Sequence, residues 1–167
     1  MQIDSLVMGF QVTQRTLEAN LYGIGQEESL SLPPGGGSSV NWIAGHVLSS
    51  RSSLLEQLPS DGKSFLSGEE AELYRRGTKA TGAEGACVPM ERLLEGIQKT
   101  GTALTEKLQS LSEQDLEAEI DPKKIPAQLE KPNLGAFLTF RLFHEAYHAG
   151  QLGLARRMLG KPSGIGR

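Results

Sequence analysis

Four segments of the chain repeat apolar residues at every third or fourth position, and runs of glycine and proline separate them. This spacing places the apolar side chains on one stripe of an α-helix, whereas a half-buried strand would need strict alternation. The segments cover about residues 2–22, 39–58, 89–111 and 133–160, and the connections cover about 23–38, 59–88 and 112–132. The pattern therefore predicts four amphipathic helices with long connections.

The kinds of apolar residue favour the same fold class. The chain has 24 Leu against 5 Val and 7 Ile, and only 9 aromatic residues. Leucine loses little rotamer freedom in a helix, whereas β-branched and aromatic residues suit a pleated sheet. We therefore expect an all-α, four-helix bundle that forms a single domain over residues 1–167, with one short extra helix around residues 69–75.

Capping residues, glycines and prolines determine where the predicted helices begin and end. The run of serine, proline and glycine over residues 31–39 cannot continue a helix, but it offers Ser39 as the N-cap of the second one. Pro59 should end that helix, and Asn133 is the expected N-cap of the last helix. The last helix should stop at Gly160, with Pro162 just beyond it.

Charge and cysteine content narrow the classes of partner. The chain carries 17 Lys and Arg against 20 Asp and Glu, so its net charge of -3 leaves no basic stripe for a nucleic-acid backbone. Charged and amide residues interrupt residues 1–20, which excludes a signal-peptide core or a membrane span there. Cys87 is the single cysteine and cannot form an internal disulfide. We expect a cytoplasmic protein without nucleic-acid or membrane partners.

The three histidines, His46, His144 and His148, all lie inside predicted helices. His144 and His148 are four residues apart, so their rings share one helix face and can reach one metal ion. Arg141 and Gln151 extend this column by three residues at either end. Burying such a column without partners costs several kcal/mol. The residues therefore favour a metal site over the plainer alternative, an exposed helix face with His46 satisfied in the core.

A metallopeptidase is the competing interpretation, because residues 144–148 match the HExxH pattern, in which two histidines bind zinc and the glutamate is the general base. The usual third ligand is missing downstream. Leu154 stands where a third histidine follows in one common arrangement, and no acidic residue follows His148. The third ligand must come from upstream, and His46 is the obvious candidate.

The sequence resembles the DinB-like (YfiT-type) proteins, which are bacterial four-helix bundles with a three-histidine metal site. The resemblance rests on Asn41-Trp-Ile-Ala-Gly-His46, on Phe143-His-Glu-Ala-Tyr-His-Ala-Gly-Gln-Leu152 and on the tail Arg156-Arg-Met-Leu-Gly160. It implies that His46, His144 and His148 are the metal ligands. Related members are S-transferases that use bacillithiol, mycothiol or glutathione, and others are hydrolases or isomerases. Family membership indicates a site more firmly than a substrate.

A three-histidine site with open positions is typical of catalytic zinc, so zinc is the expected ion, while nickel, manganese and iron(II) also suit imidazole. Gln151 and Arg141 are candidates for orienting ligands or binding an anion, and Glu145 for accepting a proton or supporting a ligand. For all three, a solvated or structural role is the alternative. Arg141 could also hold the carboxylate of a small thiol cofactor.

Other polar or aromatic residues near the histidines have two interpretations each. Trp42 precedes His46 by one helical turn and is either a packing residue or a contact for a cofactor. Ser49, Ser50 and Ser53 either line a pocket or form ordinary helix surface. Cys87 has no adjacent His or Lys and is expected to be a bystander.

Two classes of function follow from these residues. The first is a metal-dependent thiol S-transferase acting on small molecules, with a metal-dependent hydrolase as its enzymatic alternative. The second is a bundle that binds a metal or small ligand without turnover. Three protein ligands leave the ion an open position, which favours chemistry. The expected partners are a small-molecule substrate or thiol, and a homodimer is the candidate assembly.

Overall fold

The computed structural model describes residues 2–58, 64–78, 85–121, 123 and 132–165. Its helices in chain order are α1 (Gln2–Leu21), α2 (Gln26–Leu30), α3 (Val40–Gln57), α4 (Gly68–Leu73), α5 (Met90–Gln109) and α6 (Leu134–Met158), with a 3-10 turn at Asp115–Glu117. The described residues contain no strand beyond an isolated bridge between Glu119 and Asn133. The predicted all-α class and the four long helices are confirmed.

Local capping explains most of the helix ends. The predicted N-caps are confirmed, because Ser39 Oγ accepts from the Trp42 amide at 3.2 Å and Asn133 Oδ1 accepts from the Ala136 amide at 2.9 Å. The short helix expected near residues 69–75 is α4, which begins after Ser67 in a capping box with Glu70. Pro59 and most of the predicted connection 112–132 beyond residue 121 lie outside the described residues.

The connection predicted at residues 23–38 contains a short helix, α2, that the sequence pattern did not predict. The Gly25 amide donates to Glu28 Oε2 at 3.1 Å and its carbonyl accepts from the Ser29 amide at 2.9 Å, so the first turn is closed on itself. Leu30 is then buried at the end of this turn. The sequence pattern did not predict this helix because it is only five residues long, too short for a helical repeat, and glycines precede and follow it.

The long helices run up, down, down and up in chain order. The C-terminal halves of α1 and α6 meet the N-terminal halves of α3 and α5 in one apolar cluster, and the opposite halves meet in a second cluster. Parallel neighbours need long connections, which fits the lengths predicted from the sequence. Each fully buried leucine in these clusters contributes about 1.5–3 kcal/mol through the hydrophobic effect.

A layer of polar side chains, here called the polar layer, separates the two apolar clusters. Its members come from three of the four long helices: Thr13 and Gln14 of α1, Arg51 of α3 and Glu145 of α6. The fourth helix, α5, contributes the Ile97 carbonyl, which accepts from Arg51 Nη1 at 2.9 Å. The polar layer therefore ties all four long helices together at mid-height.

Within the described part of the chain, no helix is both long and apolar enough to cross a membrane.

Candidate metal site

The three histidines converge where α3 faces α6. Nε2 of His144 lies 3.2 Å from Nε2 of His46 and 3.2 Å from Nε2 of His148. Two imidazole nitrogens bound to one tetrahedral zinc at 2.0–2.1 Å would be about 3.3 Å apart. The candidate ligand atoms all lie within 4.8 Å of one another, so the spacing suits one shared ion.

Contacts of the outer ring nitrogens fix two of the three rings. His46 Nδ1 donates to the Tyr74 carbonyl at 2.7 Å, and His148 Nδ1 donates to Gln151 Oε1 at 2.7 Å. Because both partners are acceptors, the Nδ1 atoms carry the protons and the Nε2 lone pairs face the shared centre. His144 Nδ1 has only a distant partner, Ser50 Oγ at 3.5 Å. His46 and His148 are therefore held as the neutral tautomer whose Nε2 can bind a metal.

Burial keeps these imidazoles neutral. It lowers the pKa of His144 from 6.5 to about 3, and the neighbouring His148, His46 and Arg141 charges add to this shift. Burial also lowers the pKa of His46, against the opposing effect of its bond to the Tyr74 carbonyl. The pKa of His148 is lowered by burial and by His46, and its bond to Gln151 opposes this. At neutral pH, protons therefore do not compete with a metal ion for these imidazole nitrogens.

Trp42 packs directly on one of the ligands. Its ring stacks on His46 with centroids 4.9 Å apart and planes inclined by 6°. Its Nε1 donates to Thr78 Oγ1 at 3.0 Å, so the indole also contacts the segment that follows α4. Trp42 is 9% exposed and lines the cleft beside the histidines. Its packing role is evident, and a cofactor contact stays a prediction.

The glycine before His46 has a steric reason. A Cβ on Gly45 would lie 2.3–2.5 Å from atoms of the Tyr74 ring, so only glycine lets that ring approach α3. The Tyr74 hydroxyl donates to Asn41 Oδ1 at 3.0 Å and accepts from the Val88 amide at 2.8 Å. Asn41 Nδ2 in turn donates to the Val88 carbonyl at 2.9 Å. The motif at residues 41–46 therefore contains two residues, Asn41 and Gly45, that pack against Tyr74, in addition to His46.

Sequence analysis missed Tyr74 and Thr78, and little in the sequence could have revealed them. They lie in the least periodic stretch of the chain, where no helical repeat predicts which side chains point inward. A buried asparagine such as Asn41 needs a hydrogen-bond partner. Residue spacing alone cannot show that this partner is Tyr74.

The histidines open onto a cleft of about 710 Å³. The predicted serine stripe lines this cleft, which favours the pocket interpretation over ordinary helix surface. The lining residues are Trp42, His46, Ser49, Ser50, Ser53, Ala71, Glu72, Tyr74, Arg75, Arg76, Phe140, Arg141, His144, Tyr147 and His148.

Arg141 lies in the cleft wall, as its place in the predicted column implied. Its guanidinium donates to the Ser50 carbonyl and lies 5.6 Å from the centre of the Phe137 ring. Burial lowers its pKa, and the more distant Glu145 carboxylate opposes that shift. Arg141 has no ion pair with any carboxylate in the described ranges. Arg141 is therefore a partly buried cation beside the histidines, and N–H groups of its guanidinium remain available to a ligand.

The structure does not bring Glu145 to the imidazoles. Its carboxylate accepts from Arg51 Nε and from Arg51 Nη2 at 2.7 Å each, and it also accepts from Thr13 Oγ1. Glu145 is 4% exposed and belongs to the polar layer, not to the cleft lining. The adjacent position on α6 turns this side chain by about 100° from His144. A general base at Glu145, as the peptidase interpretation requires, is therefore not supported.

Gln151 contacts one of the histidines, and Cys87 does not. Gln151 accepts from the outer nitrogen of His148 and donates to the Tyr147 hydroxyl at 3.2 Å, so it holds the His148 ring in place. Cys87 accepts from Gln26 Nε2 at 3.5 Å and is not part of the cleft lining.

Comparisons with known proteins support one assignment. A search of curated proteins finds no match to the sequence. The sequence profile of the DinB superfamily matches residues 10–152, a range that includes all three histidines, the polar layer and the Tyr74 segment. The match spans most of the chain and agrees with the helical bundle described above. The chain belongs to the DinB superfamily.

Proposed function

We propose that the three histidines bind one divalent metal ion and that the protein is a metal-dependent thiol S-transferase acting on small molecules. One observation carries the proposal: three Nε2 atoms converge in an open cleft while the outer nitrogens of His46 and His148 are already bonded. Three protein ligands leave at least one position for an exogenous group. Zinc is the first candidate, with nickel, manganese or iron(II) as alternatives.

The transfer requires a nucleophilic sulfur near neutral pH. When bound, a divalent ion would supply the positive charge that lowers the pKa of an entering thiol well below the ~8.5 of a free thiol. The thiol proton goes to solvent, the sulfur forms a bond to an electrophilic carbon, and the leaving group departs with its bonding electrons. His46, His144 and His148 contribute by staying neutral, as their lowered pKa values indicate.

Other residues of the cleft orient the reactants. Arg141 has no carboxylate partner in the described part of the chain, and its planar fork suits a bidentate contact with a carboxylate. We assign it to an acidic group of the small thiol. Gln151 holds His148 in the required tautomer, and Trp42 offers an aromatic wall for cofactor or substrate.

Metal content is the first experiment. Protein purified without added metal or a histidine tag should contain about one divalent ion per chain by elemental analysis. His46→Ala, His144→Ala and His148→Ala should each lose it. Retention of full metal content by His46→Ala and loss by His144→Ala would remove α3 from the site.

The reaction is tested next on the metal-loaded protein. Bacillithiol, mycothiol, glutathione and cysteine are screened against a generic electrophile, with His148→Ala as the control. The proposal expects turnover with at least one thiol, and Arg141→Lys should raise KM for an acidic thiol more than for an uncharged one such as 2-mercaptoethanol. Turnover that is absent with every thiol, or unchanged in His148→Ala, would contradict the transferase and leave a ligand-binding or hydrolase function.

Two further expectations remain proposals. A homodimer should give twice the mass of the 18.0 kDa chain in light scattering after gel filtration. A cytoplasmic location should place a tagged chain in the cytosolic fraction of its host.

A further inference from the structure

We propose that Tyr74 is a positioning residue for His46, so that metal binding depends on the docking of residues 64–78 against α3. The inference rests on the proposed metal site. It extends that site beyond the two ligand-bearing helices to a segment that contains no metal ligand.

Three parts of Tyr74 contact the helix that carries His46. Its backbone carbonyl accepts the Nδ1 proton of His46 at 2.7 Å. Its ring lies in the space that a Cβ on Gly45 would fill, and its hydroxyl joins Asn41 Oδ1 to the Val88 amide. Tyr74 is only 1% exposed, so these contacts are made away from water. The side chain thereby fixes the carbonyl that sets the orientation of the His46 ring.

Two more contacts hold the same segment in place. The Thr78 hydroxyl accepts from Trp42 Nε1 at 3.0 Å, on the indole that stacks on His46. On the other side of Tyr74, the Arg92 guanidinium of α5 pairs with the Glu70 carboxylate, with Nη2 and Oε2 2.9 Å apart. The segment is therefore held at residues 70 and 78, with Tyr74 between these contacts.

The two oriented ligands are held in different ways. His148 receives its acceptor from Gln151, three residues later on the same helix, so this contact survives wherever α6 is helical. His46 receives its acceptor from a residue 28 positions away in sequence. Only the His46 contact requires tertiary docking. By linkage, an ion that needs the oriented His46 ring must also favour the docked segment.

The decisive experiment reads the His46 tautomer in metal-free protein by ¹⁵N NMR of the imidazoles, at a pH where the rings are neutral. The variants are Tyr74→Phe, which removes the hydroxyl, and Gly45→Ala, which displaces the ring. Tyr22→Phe is the matched control, because Tyr22 is 77% exposed and outside the cleft. In wild type and control, His46 should carry its proton on Nδ1. In both test variants it should become a mixture of tautomers, while His148 stays unchanged.

Zinc affinity supplies an independent readout by competition with a chromophoric chelator. Loss of a partner of a metal-bound histidine typically weakens binding 10–100-fold. Tyr74→Phe keeps the carbonyl but loosens its position, so it should lower affinity about tenfold, at the low end of that range, and Tyr22→Phe should not. Trp42 is the single tryptophan, so its fluorescence in urea titrations shows whether each variant folds.

The outcomes separate this proposal from the proposed function. If His46 keeps its Nδ1 proton in both Tyr74→Phe and Gly45→Ala, Tyr74 does not position it and the proposal fails. A tautomer change that spreads equally to His148 also overturns it, because that result indicates general loosening. If wild type binds no metal but the tautomer shift appears, the positioning role of Tyr74 stands and the metal function fails.

Discussion

The bundle contains two polar clusters that use the same pair of helices in opposite ways. In the polar layer, the Arg51 guanidinium of α3 and the Glu145 carboxylate of α6 neutralise each other, and their remaining groups contact Thr13, Gln14 and the Ile97 carbonyl. Five residues earlier on α3, and at positions 144 and 148 of α6, the histidine cluster places Nε2 of His144 3.2 Å from Nε2 of His46 and 3.2 Å from Nε2 of His148.

The difference separates a cluster whose polar groups are satisfied within the chain from one that could hold a metal ion. Buried polar groups in folded proteins nearly always have partners, and the polar layer follows that rule with groups of the chain itself. A neutral His144 has one proton, which can bridge its Nε2 to either His46 or His148 but not to both, so one nitrogen of the cluster keeps no partner. Because burial disfavours the protonated imidazoles, a metal ion is the partner that this cluster fits best.

The largest expected effect comes from opening the polar layer. Arg51→Ala leaves the Glu145 carboxylate buried without its partner, which should lower the free energy of unfolding by about 3–5 kcal/mol in urea titrations. The double variant Arg51→Met with Glu145→Leu should recover most of that loss, because it removes both charges and keeps the volume. A loss below about 1 kcal/mol in Arg51→Ala would show that this ion pair does not hold the fold.

The histidine cluster should behave in the opposite manner. His148→Ala removes a ligand, so zinc affinity should fall by about a hundredfold or more, since even an outer partner of a ligand costs about 10–100-fold. The stability of the metal-free protein should change much less than in Arg51→Ala, because no buried charge loses its partner. Chelator competition and urea titration measure the two effects separately. Strong destabilisation of the metal-free variant would place the histidines with the fold.

The histidine cluster could be predicted from the sequence to a greater extent than the polar layer. Periodicity placed all three histidines on helices, and the i, i+4 spacing put His144 and His148 on one face, because both rules are local. The same spacing could not separate Glu145 from the site, since only the packing of α6 against α1 and α3 shows which way the next residue points. Tyr74 escaped for a related reason, because its contacts join a non-periodic segment to α3.

Acid should weaken the metal-free protein through the histidine cluster. The unfolded chain protonates histidine below its ordinary pKa of 6.5, whereas folded His144 stays neutral down to about 3. The unfolded state therefore binds more protons in this window, and the free energy of unfolding falls as the pH drops through it.

This acid effect should be smaller than that of Arg51→Ala, because the cluster is partly open to solvent. Urea titrations between pH 7 and about 5 test it before the carboxylates titrate, whose ordinary pKa values are about 4. His144→Gln should flatten the pH dependence. An identical slope in that variant would show that His144 is not the source.

The smallest effect tests whether an outer partner belongs to the histidine cluster. Gln151 is half-buried and accepts from His148 Nδ1 at 2.7 Å, so Gln151→Ala should lower zinc affinity only about tenfold, at the low end for such partners, because water can replace the amide. Gln151→Glu keeps an acceptor at the same reach and adds a negative charge, so it should bind zinc at least as tightly as wild type. If both variants weaken binding equally, the contact fills space and does not hold the tautomer. A loss confined to Gln151→Ala would place Gln151 with the histidine cluster, although it lies on the same helix as Glu145, whose carboxylate is satisfied within the polar layer.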